Sequence, residues 1–155
     1  MKHLFKSVWV VLVAVVLATP LWALQDEEIE LTRLAIQQQR NQLVSQFMEL
    51  SSEEIPAFWS VYEKYRTQMA KIGDRTQKLI IDYAENQDTL SDQNALAMLD
   101  ESLKIEEAKL ELRRKYVQEF KKVLPPKKVV RFFQLDNKFD AMVNYNLAGS
   151  IPLVE

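Results

Sequence analysis

An all-α fold of four long amphipathic helices is predicted by three observations. Apolar residues recur at helical spacing for about eight turns from Leu50 to Tyr83. Helix-start patterns follow leucines at Leu50, Leu90 and Leu124. The 155 residues contain no cysteine, so stability has to come from helix packing.

The first two dozen residues stand apart. Lys2, His3 and Lys6 precede an uncharged run from Ser7 to Leu24, broken by Pro20 and carrying the small residue Ala23 at a cleavage position. This pattern predicts a secretory signal peptide over 1–23 and a single helical domain over 24–155 with a short extended tail. Cleavage after Ala18 is the fallback. An uncleaved inner-membrane anchor is the alternative, because the run approaches the roughly 18–20 residues that span a bilayer.

The mature chain opens on Asp26, Glu27, Glu28 and Glu30, which suit the positive end of a helix dipole. The first helix is expected to run to about Met48 with Ile29, Ile36, Leu43, Phe47 and Leu50 as its stripe. The second helix is expected to start at Ser51, with Ser51 as N-cap, Glu54 completing a capping box and Leu50 with Ile55 as a staple. Its seam is Phe58, Tyr62, Tyr65, Met69, Ile72, Thr76, Leu79 and Tyr83, a heptad row that wants a partner helix, in the same chain or in a dimer. Pro56 falls in the first turns, and Gly73 sits mid-helix where a bend or a close crossing would account for it.

The polar stretch Asn86–Thr89 makes a turn, and Ser91 caps a third helix from Asp92 to about Val123 with Leu90 stapled to Ala95. Heptad spacing turns Leu96, Leu99, Leu103, Leu110, Val117 and Phe120 inward, with Glu106 and Arg113 in the same seam, where they either set register or snorkel to water. In the last connection Pro126 fits the first helical position, and Leu124 with Val129 forms another staple. The fourth helix carries Val129, Val130, Phe132, Phe133, Leu135, Phe139, Met142 and Val143, more apolar surface than one stripe needs. Helical periodicity ends at Gly149, and the apolar tail beyond it is expected to pack into a groove.

Composition excludes several chemistries. His3 is the only histidine and lies in the leader, so the mature chain has no imidazole for acid–base or zinc chemistry. With glycine only at Gly73 and Gly149, no phosphate-binding loop can form. No catalytic residue, metal site or cofactor is expected, and nucleic acid is not an expected partner. Charge is uneven: Gln25–Leu103 holds 7 basic and 15 acidic residues, Lys104–Glu155 holds 11 and 7. That asymmetry can favour antiparallel self-association or charged partners.

The starts Leu50-Ser51-Ser52-Glu53-Glu54, Leu90-Ser91-Asp92-Gln93-Asn94 and Leu124-Pro125-Pro126-Lys127-Lys128, together with the leader and the cysteine-free helices, resemble the Spy/CpxP family of small periplasmic proteins, marked by Leu-Thr-x-x-Gln motifs. Ser51 and Ser91 replace the threonine, Glu54 and Asn94 the glutamine, and Pro125 with Lys128 breaks the third copy. The resemblance implies a hairpin-like four-helix protomer in a curved antiparallel homodimer, and an ATP-independent chaperone-like protein that binds unfolded or misfolded envelope proteins. The implied client surface combines Arg113, Lys121, Lys127, Lys128 and Arg131 with Val117, Phe120, Phe132 and Phe133. The alternative is an envelope-stress or metal-responsive regulatory sensor acting through a signalling partner.

Overall fold

The structure, a computed structural model, describes residues 21–154, with side chains from Leu31 onward. The expected leader through Pro20 lies outside the described residues, as does Glu155. Four helices are formed: α1 (Leu21–Phe47), α2 (Glu54–Asn86), α3 (Asp92–Lys121) and α4 (Pro126–Ala148), with a 3-10 turn at Gln87–Thr89. No strand occurs among the described residues, and no helix among them is long and apolar enough to cross a membrane.

The described residues divide into two units, one ending at residue 38 and one beginning at residue 39. In the first, α1 exposes Leu31 and Leu34. The core belongs to the second.

Within that second unit α2 and α3 form an antiparallel hairpin, tied by Gln68 donating to the Tyr116 hydroxyl at 2.7 Å and by the Arg75–Glu101 ion pair at 2.9 Å. The centre is aromatic. Phe58, Tyr62 and Tyr65 of α2 pack with Tyr116 and Phe120 of α3 and Phe132 of α4, all buried. The tightest ring contact is Phe120 on Phe132, with centroids 4.3 Å apart. Offset and edge-on arrangements of this kind add to plain area burial. The seam expected on α2 is therefore a helix-packing face of this chain: Phe58, Tyr62, Tyr65 and Met69 are buried, while Ile72, Leu79 and Tyr83 are partly exposed further along.

The helix starts follow the sequence. The capping box closes in both directions, with the Ser51 amide donating to Glu54 Oε2 at 2.8 Å and the Glu54 amide to Ser51 Oγ at 3.4 Å. Ile55 stays exposed, so Leu50 packs onto the core without it. Ser91 caps α3 by accepting from the Asn94 amide. Pro126 opens α4, and its flanking Leu124 and Val129 are both buried. Between α1 and α2, Glu49 adopts φ 50°, a left-handed conformation that costs a side-chain-bearing residue energy. Its carbonyl accepts from Lys128 at 2.8 Å and its carboxylate pairs with Arg131 at 2.7 Å, which holds the reversal in place.

Three expectations are corrected. On α3 the inward residues are Ile105, Leu112, Tyr116 and Phe120, while Leu96, Leu99, Leu103 and Leu110 face outward. Helix α3 carries two apolar rows about 130° apart at 100° per residue, and the row with the tyrosine and phenylalanine matches the rings of α2. On α1 the buried residues are Arg40, Val44 and Met48, with Phe47 exposed and Leu43 half-buried. The tail sends its Pro152 carbonyl to the Tyr83 hydroxyl at 3.2 Å but leaves Leu153 and Val154 exposed instead of seated in a groove.

Gly73 lies inside the continuous α2, and a Cβ added there meets no atom within 4 Å. No close crossing requires this glycine, so Gly73→Ala is expected to stabilise the protein by roughly 0.5–1 kcal/mol in urea denaturation. The Glu54 carboxyl is held below its ordinary value of 4.5, first by the Lys128 ammonium 2.5 Å away and then by the Ser51 amide. A depressed carboxyl stabilises the fold above its unfolded pKa and loses that contribution as pH falls through the folded value. Denaturation midpoints should therefore show Glu54→Gln less stable at pH 7, with the gap to the parent closing as pH drops below about 4.5.

Candidate functional site

The second unit is built around a buried carboxylate. Asp136, on the inward face of α4 between Phe132 and Phe139, is 2% exposed. A carboxylate this deep must be paired and hydrogen-bonded to stay ionised, and side chains from three other helices do so. Arg40 of α1, 5% exposed, places Nη1 2.5 Å from Asp136 Oδ1. Tyr65 of α2 donates its hydroxyl to Oδ2 at 2.6 Å. Arg66 of α2 and Arg113 of α3 stand further out at 4.0 and 3.8 Å. One turn along α4, Asp140 accepts from Arg40 at 2.6 Å and from Arg113 at 2.5 Å.

Electrostatics follow from the burial. The Tyr65 hydroxyl is pushed far above the ordinary tyrosine range, first by burial and then by the neighbouring Asp136 charge, so it remains a proton donor to that carboxylate. Burial lowers the Arg66 guanidinium from its usual value, helped by the Arg40 charge. Arg40 lies over the Phe139 ring, 4.0 Å from its centroid, a cation–π contact that suits a desolvated guanidinium. Its Nε–H is buried without an acceptor.

Beside this cluster a cleft of about 250 Å³ opens between the last turns of α1 and the middle of α4. Leu43, Val44 and Phe47 form one wall, and Leu135, Phe139 and Met142 the other. Arg40, Asp136 and Lys138 also line it, but its surface is almost wholly apolar. A second apolar feature is the outward row of α3, Leu96, Leu99, Leu103 and Leu110.

The residues expected to form a client surface separate. Phe120 and Phe132 are wholly buried, so they belong to the core and cannot meet a client in the folded protein. Val117 and Phe133 are partly buried against the same core. Arg113 is committed to Asp140, Lys128 to Glu54 and Arg131 to Glu49. Lys121 and Lys127 are exposed, either side of the α3–α4 turn. Sequence periodicity placed Phe120 and Phe132 correctly on apolar rows, but nothing in it says which of two rows on one helix will find a partner.

The buried ion cluster had no signal in the sequence beyond two aspartates one helical turn apart, Asp136 and Asp140, interrupting an apolar run. No group of three His, Cys, Asp or Glu side chains that could hold a metal ion occurs among the described residues. No protein-family model, characterised protein or solved structure matches the chain significantly.

Removing one partner of a buried pair leaves the other charge uncompensated. Asp136→Asn is expected to cost about 3 kcal/mol in urea denaturation, and the double change Arg40→Met/Asp136→Leu less than that single one, because it removes both charges.

Proposed function

We propose that this protein is an ATP-independent, chaperone-like protein of the periplasm that holds unfolded or misfolded envelope proteins. The observation that carries this reading is the outward row of α3, where Leu96, Leu99, Leu103 and Leu110 are 68, 56, 57 and 49% exposed. Single exposed leucines are ordinary on protein surfaces, but an aligned row points to a partner of apolar character. Fully burying one leucine contributes about 1.5–3 kcal/mol, and a partner touching only one side of each gains less. Such contacts hold a client loosely enough to release it without a nucleotide cycle. Arg114, exposed beside the far end of the row, adds attraction for acidic chains, which speeds encounter more than it deepens affinity.

A second reading uses the same row for self-association. The half of α3 from Asp92 to Glu107 carries five acidic and one basic residue, and the half from Ala108 to Lys121 carries two and five. An antiparallel copy would lay each acidic half on a basic one, with the leucine row covered by the α3 of the partner. A homodimer of this kind agrees with the family resemblance. A regulatory role through one signalling partner would also draw on this row, and crosslinking in native membranes that recovers one dominant partner would replace the chaperone reading.

The test is aggregation of a chemically unfolded protein with and without a stoichiometric amount of this one, in the absence of ATP. Suppression is expected, and Leu99→Glu/Leu103→Glu should abolish it without unfolding the protein, since both side chains are exposed. No suppression across several test proteins would sink the proposal. Sedimentation of both forms separates the second reading: a dimer lost in the variant assigns the row to a second copy, and a monomeric parent excludes that.

A further inference from the structure

The side chains beside the outward row of α3 decide which apolar partners it suits. On a helix the surface neighbours of a residue are those three and four positions away. Asp100 stands at those spacings from both Leu96 and Leu103, and Glu106 and Glu107 stand at them from both Leu103 and Leu110. All three carboxylates are exposed. Because the row faces away from the core, these neighbours on α3 set its charge.

Cations are placed otherwise. Lys104 and Lys109 are at neither spacing from any leucine of the row; they pair within the helix, with Asp100 at 2.6 Å and Glu106 at 2.7 Å. Exposed pairs of this kind are weak and yield to a competing cation. Glu107 has no cationic partner among the described residues. Arg113 borders Leu110 but is committed to Asp140, and Arg114 is exposed beside Leu110 at the far end. Leucines flanked by carboxylates complement a segment whose apolar side chains are flanked by lysine or arginine, and they repel an acidic segment everywhere but at Arg114.

We propose, on the reading that this row holds clients, that its preferred partner is a cationic amphipathic helix. From Leu96 to Leu110 the row runs about 21 Å, which a helix of about fifteen residues covers. A helical partner also repeats the seven-residue spacing of Leu96, Leu103 and Leu110.

The experiment is a fluorescence anisotropy titration of the full chain against three labelled peptides of about fifteen residues. Each carries leucines at the spacing of the row, with lysine, glutamine or glutamate at the flanking positions. The lysine peptide is expected to bind saturably, about tenfold tighter than the glutamine peptide, and the glutamate peptide more weakly than either. High salt should bring the lysine and glutamine peptides together, since exposed charges are screened. Glu106→Gln/Glu107→Gln should remove most of the lysine peptide's advantage. Glu85→Gln/Asp88→Asn, the same change of charge at exposed positions away from the row, should leave it intact. Leu99→Asn/Leu103→Asn should weaken every peptide. Equal binding of the lysine and glutamine peptides, or an advantage that survives Glu106→Gln/Glu107→Gln, would overturn the preference even where aggregation is suppressed. Binding unchanged in Leu99→Asn/Leu103→Asn would place the peptide elsewhere and overturn it as well. If no peptide binds, the preference falls, and aggregation measured on the same sample shows whether the holding function falls with it. If peptides bind only after a dimer has dissociated in sedimentation, the row belongs to a second copy and the proposal fails.

Discussion

The Asp136 carboxylate is the constraint on which the rest of the second unit depends. It lies where burial would be prohibitive without compensation, and the compensation comes from Arg40, Tyr65 and Arg113, one side chain from each of the other helices. Asp140 extends the set by holding Arg40 and Arg113 together. Apolar burial alone tolerates a helix sliding or rotating past its neighbour, because one leucine replaces another with little change in energy. A buried carboxylate does not tolerate this, since its partners must meet it within hydrogen-bond distance. The cluster thus serves register as well as stability, and it sits directly beside the aromatic core at Tyr65 and Phe132.

That constraint accounts for what is left outside. Once Arg113 reaches Asp140, and Tyr116 and Phe120 meet Tyr65 and Phe132, the rotation of α3 about its axis is set. Its leucine row then points away from the core. The same logic acts on α1, where committing Arg40 to Asp136 turns Val44 and Met48 inward and leaves Leu43 and Phe47 as a cleft wall. The outward row of α3 and the apolar cleft between α1 and α4 are therefore by-products of one buried ionic arrangement. Both retain apolar character because each side chain still belongs to a helix of strong period.

Much of the fold was legible because its signals are local. Ser51 with Glu54, Ser91, and Pro126 each act within one turn of their own helix, and each does so in the structure. The seam from Phe58 to Met69 was legible for a related reason: aromatic residues at spacings of three and four leave one face for burial. Choices between faces were not legible. Leu103 and Ile105 are both apolar and two positions apart, and only a partner from elsewhere in the chain decides which is covered. Arg40 and Asp136, 96 positions apart, look like surface charges until the fold brings them together. The misplacement of Phe120 and Phe132 on a client surface has this same origin, because the basic residues nearby suggested exposure while the rings of α2 required burial.

The rotation of α3 is the claim that joins the buried cluster to the proposed function, and single-cysteine labelling tests it most directly. The chain has no cysteine of its own, so each introduced thiol is read alone. With Leu99→Cys, Leu103→Cys, Ile105→Cys and Leu112→Cys labelled in turn at low protein concentration, thiols at 99 and 103 should react nearly as fast as in the unfolded chain. Those at 105 and 112 should be protected by orders of magnitude, reacting only through opening of the fold. Fast reaction at 105 and 112 with protection at 99 and 103 would place the leucine row in the core and contradict the account.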